Sequence, residues 1–432
     1  MKAFLGVILN MGVLNHPNLQ SYWSMDFESH IPFFRSVFKR ERFLQIFWML
    51  HLKNDQKSSK DLRTRTEKVN CFLSYLEMKF RERFCPGREI AVDEAVVGFK
   101  GKIHFITYNP KKPTKWGIRL YVLSDSKCGY VHSFVPYYGG ITSETLVRPD
   151  LPFTSRIVLE LHERLKNSVP GSQGYHFFTD RYYTSVTLAK ELFKEKTHLT
   201  GTIMPNRKDN PPVIKHQKLK KGEIVAFRDE NVMLLAWKDK RIVTLSTWDS
   251  ETESVERRVG GGKEIVLKPK VVTNYTKFMG GVDIADYTST YCFMRKTLKW
   301  WRTLFFWGLE VSVVNSYILY KECQKRKNEK PITHVKFIRK LVHDLVGEFR
   351  DGTLTSRGRL LSTNLEQRLD GKLHIITPHP NKKHKDCVVC SNRKIKGGRR
   401  ETIYICETCE CKPGLHVGEC FKKYHTMKNY RD

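Results

Sequence analysis

Two aspartates of this chain end short apolar segments that each predict a β-strand. Asp93 closes residues 90–93, and Asp180 closes residues 176–180. Carboxylates at the carboxyl ends of strands project from the edge of a sheet, where a ligand can reach them. An aspartate at a strand end can also simply begin a turn. We favour the first interpretation, because both acids directly follow apolar residues and both belong to one α/β order of elements.

Two further acids, Asp283 and Asp286, lie three apart in a segment with helical periodicity, so they share one face of the helix. One carboxylate from a helix and two from strands give a set of oxygen ligands that suits hard cations such as Mg²⁺. Two such ions about 3.5–4 Å apart can stabilise both the attacking and the leaving oxygen of an in-line displacement at phosphorus. The acids therefore predict phosphodiester cleavage and transfer, with ionised aspartates as metal ligands.

A segment near the C-terminus offers a different kind of metal site. It mixes thiols with imidazoles and contains two CxxC pairs, which favours zinc over a disulfide framework. The candidate ligands are Cys387, Cys390, Cys406, Cys409, Cys411, His416, Cys420 and His425. We predict two closed, structural Zn²⁺ sites in a cross-braced order. The predicted sets are Cys387, Cys390, Cys411 and His416 for one ion, and Cys406, Cys409, Cys420 and His425 for the other.

The chain as a whole is strongly basic. Lys and Arg number 76 against 45 Asp and Glu, which gives a formal net charge of +31 over 432 residues. An excess of this size repels itself unless a polyanion neutralises it, which favours nucleic acid, then an acidic membrane surface, over simple solubility. No stretch reaches the roughly 18 unbroken apolar residues that a transmembrane helix needs. We therefore expect a nucleic-acid partner and no membrane insertion.

Apolar periodicity outlines the elements that must position these residues. Residues 1–86 are predicted to be helical, and a helix that begins at the first residue leads us to expect further chain upstream. Residues 87–204 follow the order strand–strand–strand–helix–strand–helix–strand, which fits a ribonuclease-H-like α/β sheet. Residues 205–270 show strand patterns only, and helical periodicity returns over residues 275–320.

The contexts of the acids resemble those of the piggyBac-type transposases. The matching stretches are IAVDEAVVGFKGK at 90–102, YNPKKPTKWGIR at 108–119, DRYYTS at 180–185 and GGVDIAD at 280–286. This resemblance covers nearly the whole chain. It implies a ribonuclease-H-like catalytic core with a β-rich insertion, a flanking helical dimerisation and DNA-binding domain, and a C-terminal cross-braced zinc module. It also implies a nuclear homodimer that moves double-stranded DNA by a cut-and-paste reaction, through hairpinned ends and with insertion at TTAA.

The resemblance assigns roles to individual acids. Asp93, Asp180 and Asp283 fall on the family's Mg²⁺-binding acids, and Asp286 falls on a fourth acid close to the site. Because all four are present, we favour an active transposase over a host-adopted derivative that binds DNA or chromatin without cutting it. A zinc-finger interaction protein with a vestigial core is a third hypothesis. Family members usually carry an acidic N-terminal region that does not occur in this sequence.

The same resemblance sets the expected domain boundaries. The zinc module resembles one that binds transposon-end DNA, although a histone tail or another protein is an alternative ligand. The family form ends on two cysteines where this chain has Cys420 and His425. The predicted divisions are 1–86 and 292–349 for the helical domain, 87–204 and 271–291 for the core, 205–270 for the insertion, 350–385 for a linker, and 386–432 for the zinc module.

Cations beside aromatic rings mark the predicted DNA contacts. Lysines around two prolines and Trp116 suit phosphate contact from an extended backbone, although a solvated hairpin edge is the alternative. A tryptophan on a helix is more often core, but the resemblance favours stacking of a flipped base on Trp300, with Trp301 and Trp307 left in the core. Arg181 suits a phosphate clamp or an ion pair with the acid beside it. The predicted contacts are Lys111, Lys112, Lys115, Arg119, Arg181, Arg295, Lys296 and Trp300.

Overall fold

A computed structural model shows the chain as two compact units, Met1–Gly352 and Thr353–Asp432. Within the described residues, no helix combines the length and apolar character needed to cross a membrane. The structure describes residues 1–52, 62–110, 112, 114–171, 173–215, 218–238, 242–247, 252–259, 262–288, 293, 297–350, 368–371, 373–393, 395, 397–427 and 430.

The helices of the first unit are concentrated at its two ends in sequence. A short 3-10 helix, Ser21–Trp23, lies between the first two α-helices. The α-helices are α1 Lys2–Val13, α2 Pro32–Val37, α3 Arg40–Met49, α4 Leu62–Arg83, α5 Gly140–Thr145, α6 Phe153–Ser168, α7 Val186–Lys194, α8 Pro212–Lys215, α9 Lys270–Phe278, α10 Gly281–Thr288, α11 Trp300–Arg326 and α12 His334–Arg350.

Eleven strands run between these groups of helices. Their bounds are β1 Glu89–Gly98, β2 Thr107–Tyr108, β3 Trp116–Asp125, β4 Val131–Pro136, β5 His176–Thr179, β6 His198–Thr202, β7 Ile224–Asp229, β8 Val232–Lys238, β9 Ile242–Thr247, β10 Thr252–Val259 and β11 Gly262–Pro269.

Nine of the strands form one mixed sheet in the order β2-β3-β1-β5-β6-β9-β8-β7, and β4 also pairs with β3. Strand β1 is antiparallel to β3 and parallel to β5, and β5 is parallel to β6. Helices α5 and α6 lie between β4 and β5 in the chain, and helix α7 connects β5 to β6, as parallel neighbours require. This arrangement is the predicted ribonuclease-H-like core.

The two faces of the sheet are buried by different helices. On one face, Val158, Leu161 and Leu165 of α6 pack with Ile90 and other residues of the sheet. The spacing of these α6 residues puts them on one side of the helix, which is why the helix forms against the sheet. On the other face, residues of α4, α10 and α11 pack against the opposite side chains of β1 and β3. The alternation of a strand therefore sends neighbouring residues of β1 into separate cores.

The segment predicted as a β-rich insertion does form strands, but three of them extend the main sheet. Strand β9 pairs with β6, and β8 and β7 follow outward. Strands β10 and β11 form a separate two-stranded sheet. The insertion therefore lengthens the main sheet and pairs the edge that β6 would otherwise leave open.

The second unit contains short elements around a small core of thiols and aromatic rings. Its strands form two two-stranded sheets, and its one long helix among the described residues follows them. The elements are β12 Ile376–Pro378, β13 Lys385–Asp386, β14 Glu401–Thr402, β15 Tyr404–Cys406 and α13 Glu419–Thr426. Residues 368–385, which we predicted as the end of a linker, include strand β12, so that prediction was wrong at its C-terminal end.

Candidate functional site

Asp93 lies inside strand β1 and does not end it, contrary to the sequence prediction. Strand β1 continues to Gly98, because β3 pairs with it along its whole length. The parallel partner β5 is shorter, and its last residue, Thr179, is opposite Val92. Asp93 and Asp180 are thus the first residues beyond the last paired positions of two adjacent strands. The prediction that two strands bring these acids together is consistent with this register.

Helix α10, which carries the third acid, packs on one face of the sheet. Gly281 lies so close to the sheet that a Cβ placed on it would be 3.0 Å from Cβ of Ala91 and 2.8 Å from Oγ of Ser124. Ala91 is two residues before Asp93, so both side chains point to the face that α10 covers. Asp283 follows Gly281 by two residues, lies in the first turn of the helix and is exposed.

Asp93 and Asp180 share the neighbours Glu94 and Tyr275, and the described acids do not form a closed ligand cluster. Among the described residues, only two groups place three or more potential ligand atoms within 4.8 Å of one another, and both consist of Cys and His. The described side chains do not include that of Asp286. Among the described side chains, the acids of the sheet therefore do not form a preformed, closed set of ligands.

Burial shapes the electrostatics of this site. Burial, together with the charge of the neighbouring Glu94, raises the pKa of Asp93 to about 8. Burial also raises the pKa of Asp180, with a further contribution from Glu94, although the backbone amide of Tyr182 donates to it at 2.8 Å and opposes the shift. Asp93 and Asp180 are partly removed from water and lie beside a third acid, Glu94, so their negative charges need to be balanced by positive charge. A divalent cation would supply that charge, so the donor set fits Mg²⁺.

Sequence reasoning missed three residues of this site. Glu94 interacts with both Asp93 and Asp180, and its only signal in the sequence is its place next to Asp93. The phenol of Tyr275 interacts with both of these aspartates from helix α9 and lies 3.3 Å from Oγ of Thr202. Gly281 is the third, since its lack of a side chain allows α10 to approach the sheet.

The predicted DNA contacts fall into different environments. Lys112, Lys115 and Arg181 are exposed, and Nζ of Lys112 donates to the carbonyl of Glu94 at 3.1 Å. Arg119 is half-buried and lies 5.8 Å from the ring of Tyr182. Lys111, Arg295 and Lys296 lie outside the described residues.

Trp300 does not have an exposed ring. It is 7% exposed and packs edge-on against Phe105 and Tyr138, at centroid distances of 5.2 and 6.0 Å. The prediction that Trp300 stacks on a flipped base was therefore wrong for this structure, because the ring fills the core beneath helix α11. Trp307 is also buried in this core and Trp301 packs against it, as predicted.

The first Cys/His group of the second unit consists of Cys387, Cys390, His416 and Cys420. Nδ1 of His416 is 3.3 Å from Sγ of Cys390, while its Nε2 is 3.2 Å from the carbonyl oxygen of Glu401. Burial opposes ionisation of Cys387, but the backbone amides of Cys390, His416 and Val389 lower the pKa of this thiol to about 7. A histidine with one nitrogen towards thiols and the other on a carbonyl is typical of a zinc site.

The second group consists of His374, Cys406, Cys409 and His425. Nδ1 of His374 is 3.7 Å from Sγ of Cys406 and 3.6 Å from Sγ of Cys409, and its Nε2 is 3.2 Å from a carboxylate oxygen of Asp370. Nδ1 of His425 is 3.1 Å from the carbonyl of Arg368, and its buried Nε2 has no hydrogen-bond partner. This nitrogen is left for a metal ion, so both groups fit tetrahedral Zn²⁺.

The grouping corrects the predicted ligand sets while keeping their interleaved order. Cys411 belongs to neither group, and Cys420 joins Cys387 and Cys390 instead of the second set. His374 replaces Cys420 in the second group, although it lies in the segment predicted as a linker. Its spacing from the next ligand matches no familiar motif, so only the fold could place it there.

The sheet topology, with acids on two parallel strands and on a helix above them, defines the ribonuclease-H-like class of catalytic cores. The chain belongs to the Transposase IS4 family, whose model matches residues 1–317. A second model, described as DDE_Tnp_1-like zinc finger, matches residues 370–426, which include His374.

Individual relatives are of the piggyBac type. The chain is similar to human PiggyBac transposable element-derived protein 3, with 25% identity over 98% of this chain and 70% of that protein. It is also similar to human PiggyBac transposable element-derived protein 2, with 24% identity over 75% of this chain and 55% of that protein. The fold matches a chain of the cryo-EM structure of piggyBac transposase synaptic complex with hairpin DNA, with a TM-score of 0.72 and 24% identity, over 96% of this chain and 84% of that one.

Proposed function

We propose that this protein is a DNA transposase of the piggyBac type, which cleaves and joins DNA strands with Asp93, Asp180 and Asp283 as its catalytic acids. One observation supports this most directly. In a chain that belongs to a transposase family, Asp93 and Asp180 occupy matching positions on adjacent parallel strands, beneath the helix that carries Asp283.

The residues of the site suit this chemistry. The three carboxylates would hold two Mg²⁺ ions, which when bound activate the attacking oxygen and stabilise the leaving 3′-oxygen. Glu94 adds negative charge behind Asp93 and Asp180, which strengthens their preference for a bound cation. Exposed Arg181, next to Asp180, is placed to contact a phosphate of the strand being cut. Asp286 is proposed as a supporting acid on the same helix as Asp283.

The finer features of the proposal rest on the resemblance to piggyBac. They are hairpinned transposon ends, insertion at TTAA, a homodimer that holds two ends, and action in the nucleus. The similar solved structure is a synaptic complex with hairpin DNA, which supports the first of these for a protein of the same fold. The two Cys/His groups would each hold one structural Zn²⁺ and shape a module that binds the transposon end.

The test is strand cleavage of a transposon-end DNA substrate by the full chain in the presence of Mg²⁺. Wild type should nick the substrate, and Asp180→Asn should lose about 1,000-fold or more in rate, because a lost metal ligand costs several kcal/mol of transition-state stabilisation. The variant should still bind the DNA. A wild-type protein that binds its cognate end but never nicks it would disprove the enzymatic proposal.

The names of the human relatives favour a second candidate. They are described as transposable element-derived proteins, which suggests a host-adopted protein that binds DNA or chromatin without cutting it. This candidate predicts that DNA binding is unaffected when Asp93, Asp180 and Asp283 are all replaced by Asn, and that wild type has no Mg²⁺-dependent cleavage to lose.

A further inference from the structure

Two large aromatic side chains lie exposed beside each other at the edge of the catalytic sheet. Tyr108 and Trp116 are directly paired across strands β2 and β3, with 51% and 45% of their surfaces exposed. Their ring centroids are 4.5 Å apart, with 34° between the planes. Neither ring is needed to fill a core, so the pair presents an aromatic surface to solvent.

Trp116 is shared by two clefts in which lysines surround this aromatic pair. Neither cleft has an acidic residue among its described lining residues. One, of about 650 Å³, is lined by Lys100, Gly101, Lys102, Ile103, His104, Ile106 and Trp116. The other, of about 590 Å³, is lined by Gly98, Phe99, Lys100, Gly101, Thr114, Lys115, Trp116, Thr297 and Leu298. Lys100, Lys102 and Lys115 are all exposed, so the clefts combine a ring surface with cations that can reach phosphates.

The backbone beneath the pair holds Trp116 firmly in place. A Cβ on the neighbouring Gly117 would lie 2.4 Å from the carbonyl oxygen of Val97, so the strands approach more closely there than any other residue allows. The amide of Asn109 also donates to the carbonyl of Lys115 at 2.7 Å, which closes the hairpin between the two aromatic residues. A ring on a fixed backbone loses little entropy when a ligand stacks on it.

An exposed apolar side chain completes the second cleft. Leu298 is 90% exposed and lies just before helix α11. Apolar side chains of this kind are used by DNA-binding proteins as wedges that enter a base step and unstack it. A wedge next to an exposed tryptophan suits the separation of a base from its neighbours and its capture on the ring.

We propose that Trp116, with Tyr108, binds one unpaired nucleobase of a DNA strand, and that Lys100, Lys102 and Lys115 contact the phosphates beside it. A base inside a duplex has both faces covered by its neighbours, so an internal base can stack on this ring only once it has left the duplex stack. The inference rests on the proposed function in taking DNA as the ligand. The residues that would select an unpaired nucleotide are therefore different from the acids that would hold metal.

The aromatic pair is well separated from the acids. Gly117 is paired with Gly98, which follows Asp93 by five positions, a distance of about 17 Å along β1. Replacing Trp116 should therefore leave the metal site intact. This separation allows base binding and strand cleavage to be tested independently.

The test measures binding of a single-stranded oligonucleotide that carries one 2-aminopurine, using the full chain without added Mg²⁺. Wild type should quench the fluorescence of the base on binding. Trp116→Ala should weaken binding about 5- to 150-fold, the range that stacking of one base contributes. Trp116→Phe should retain most of the affinity and quenching, which also shows that the strand tolerates substitution.

Two controls decide what a loss of binding means. Tyr75→Ala removes an exposed tyrosine of similar exposure on helix α4 and should leave affinity unchanged. A fully paired duplex of the same sequence should bind Trp116→Ala about as well as wild type.

Two results would overturn the base-binding proposal: equal single-strand affinity in Trp116→Ala and wild type, or an equal loss for duplex, which would make the surface a backbone contact. A protein that captures the base yet fails to nick DNA would disprove the catalytic proposal alone.

Discussion

The two candidate metal sites of this chain are built in opposite ways. The proposed acids of the sheet come from distant positions, 93, 180 and 283; strand pairing aligns the first two, and Gly281 packs the helix that carries the third against β1. The Cys/His ligands all lie between His374 and His425, and within each of the two groups the ligand atoms are within 4.8 Å of one another. Among the described side chains, the Cys/His groups are therefore preformed sets of ligands and the acids are not.

The two regions are expected to be stabilised in different ways. Around the acids, two apolar cores and a partly buried ion pair fix the frame, and a metal would act on substrate. In the second unit the described apolar core is small and includes two of the thiols, so metal binding is expected to supply folding energy. We therefore expect metal removal to unfold the module and only to inactivate the sheet site.

The largest expected effect is loss of a zinc ligand. Cys406→Ser removes a fully buried thiol, and structural zinc contributes on the order of 10 kcal/mol in small modules. The variant should lose one of two bound zinc ions per chain, measured by elemental analysis, and residues 368–430 should become sensitive to protease.

The matched control for this prediction is Cys411→Ser. Cys411 is exposed and lies in neither group, so zinc content should remain at two ions per chain. A loss of zinc in Cys411→Ser would restore the ligand pairing that the sequence alone predicts and would contradict the geometry of the module.

The next effect tests whether the frame of the sheet site depends on packing and ion pairing. Arg164 on α6 donates to both carboxylate oxygens of Glu77 on α4, at 2.9 and 3.0 Å, and Glu77 is 8% exposed. Glu77→Gln should lower the free energy of unfolding by about 2 kcal/mol, because a charged hydrogen-bonded pair is lost while the guanidinium keeps its pair with Glu160. Denaturant unfolding of the full chain measures this.

A surface pair provides the control. Glu82 pairs with Lys79 on the exposed side of α4, and Glu82→Gln should change stability by less than about 0.5 kcal/mol. Equal losses in the two variants would show that the Glu77 pair is not part of the frame.

Sequence patterns predicted the parts of the fold that depend on local periodicity. The strands and helices around Asp93 and Asp180 form close to the expected bounds, because their alternation and helical spacing are strong. Long-range geometry was harder. The length of β1 depends on pairing with β3, and the burial of Trp300 depends on Phe105 and Tyr138, which lie far from it in sequence.

The zinc ligands show the same limit more sharply. The CxxC pairs identified the metal module, since that spacing is specific. Which residues share an ion depends on how short strands fold, so His374 escaped notice and Cys411 was wrongly included. Local chemistry reveals that a site exists, while tertiary contacts decide its members.

A smaller effect, on activity, tests how the third acid is positioned. Gly281→Val would push helix α10 away from Ala91 and Ser124, since even a Cβ is too close to both. A displacement of about 1 Å can cost about 100-fold in rate, so cleavage should fall by this amount while all three acids remain. Gly280→Ala is the control, because a Cβ there meets nothing within 4 Å. If both variants cleave equally well, Asp283 does not depend on this contact.

The smallest expected effect separates stability from function at Asp93. The pKa of the Asp93 carboxyl is about 8 in the folded state, above the unfolded value of about 3.9. This carboxyl therefore destabilises the folded state increasingly as the pH rises between these two values. Without Mg²⁺ at pH 8, Asp93→Asn should therefore be more stable than wild type, and this gain should vanish near pH 4. Mg²⁺ should raise the melting temperature of wild type alone, because the amide that replaces the carboxylate in the variant is a poor ligand.

Asp150→Asn is the control of opposite sign. Arg148 lowers the pKa of Asp150, so replacing this acid should give no gain in stability at pH 8. A wild type that is the more stable protein at pH 8 without metal would show that Asp93 is already balanced by its surroundings and needs no cation.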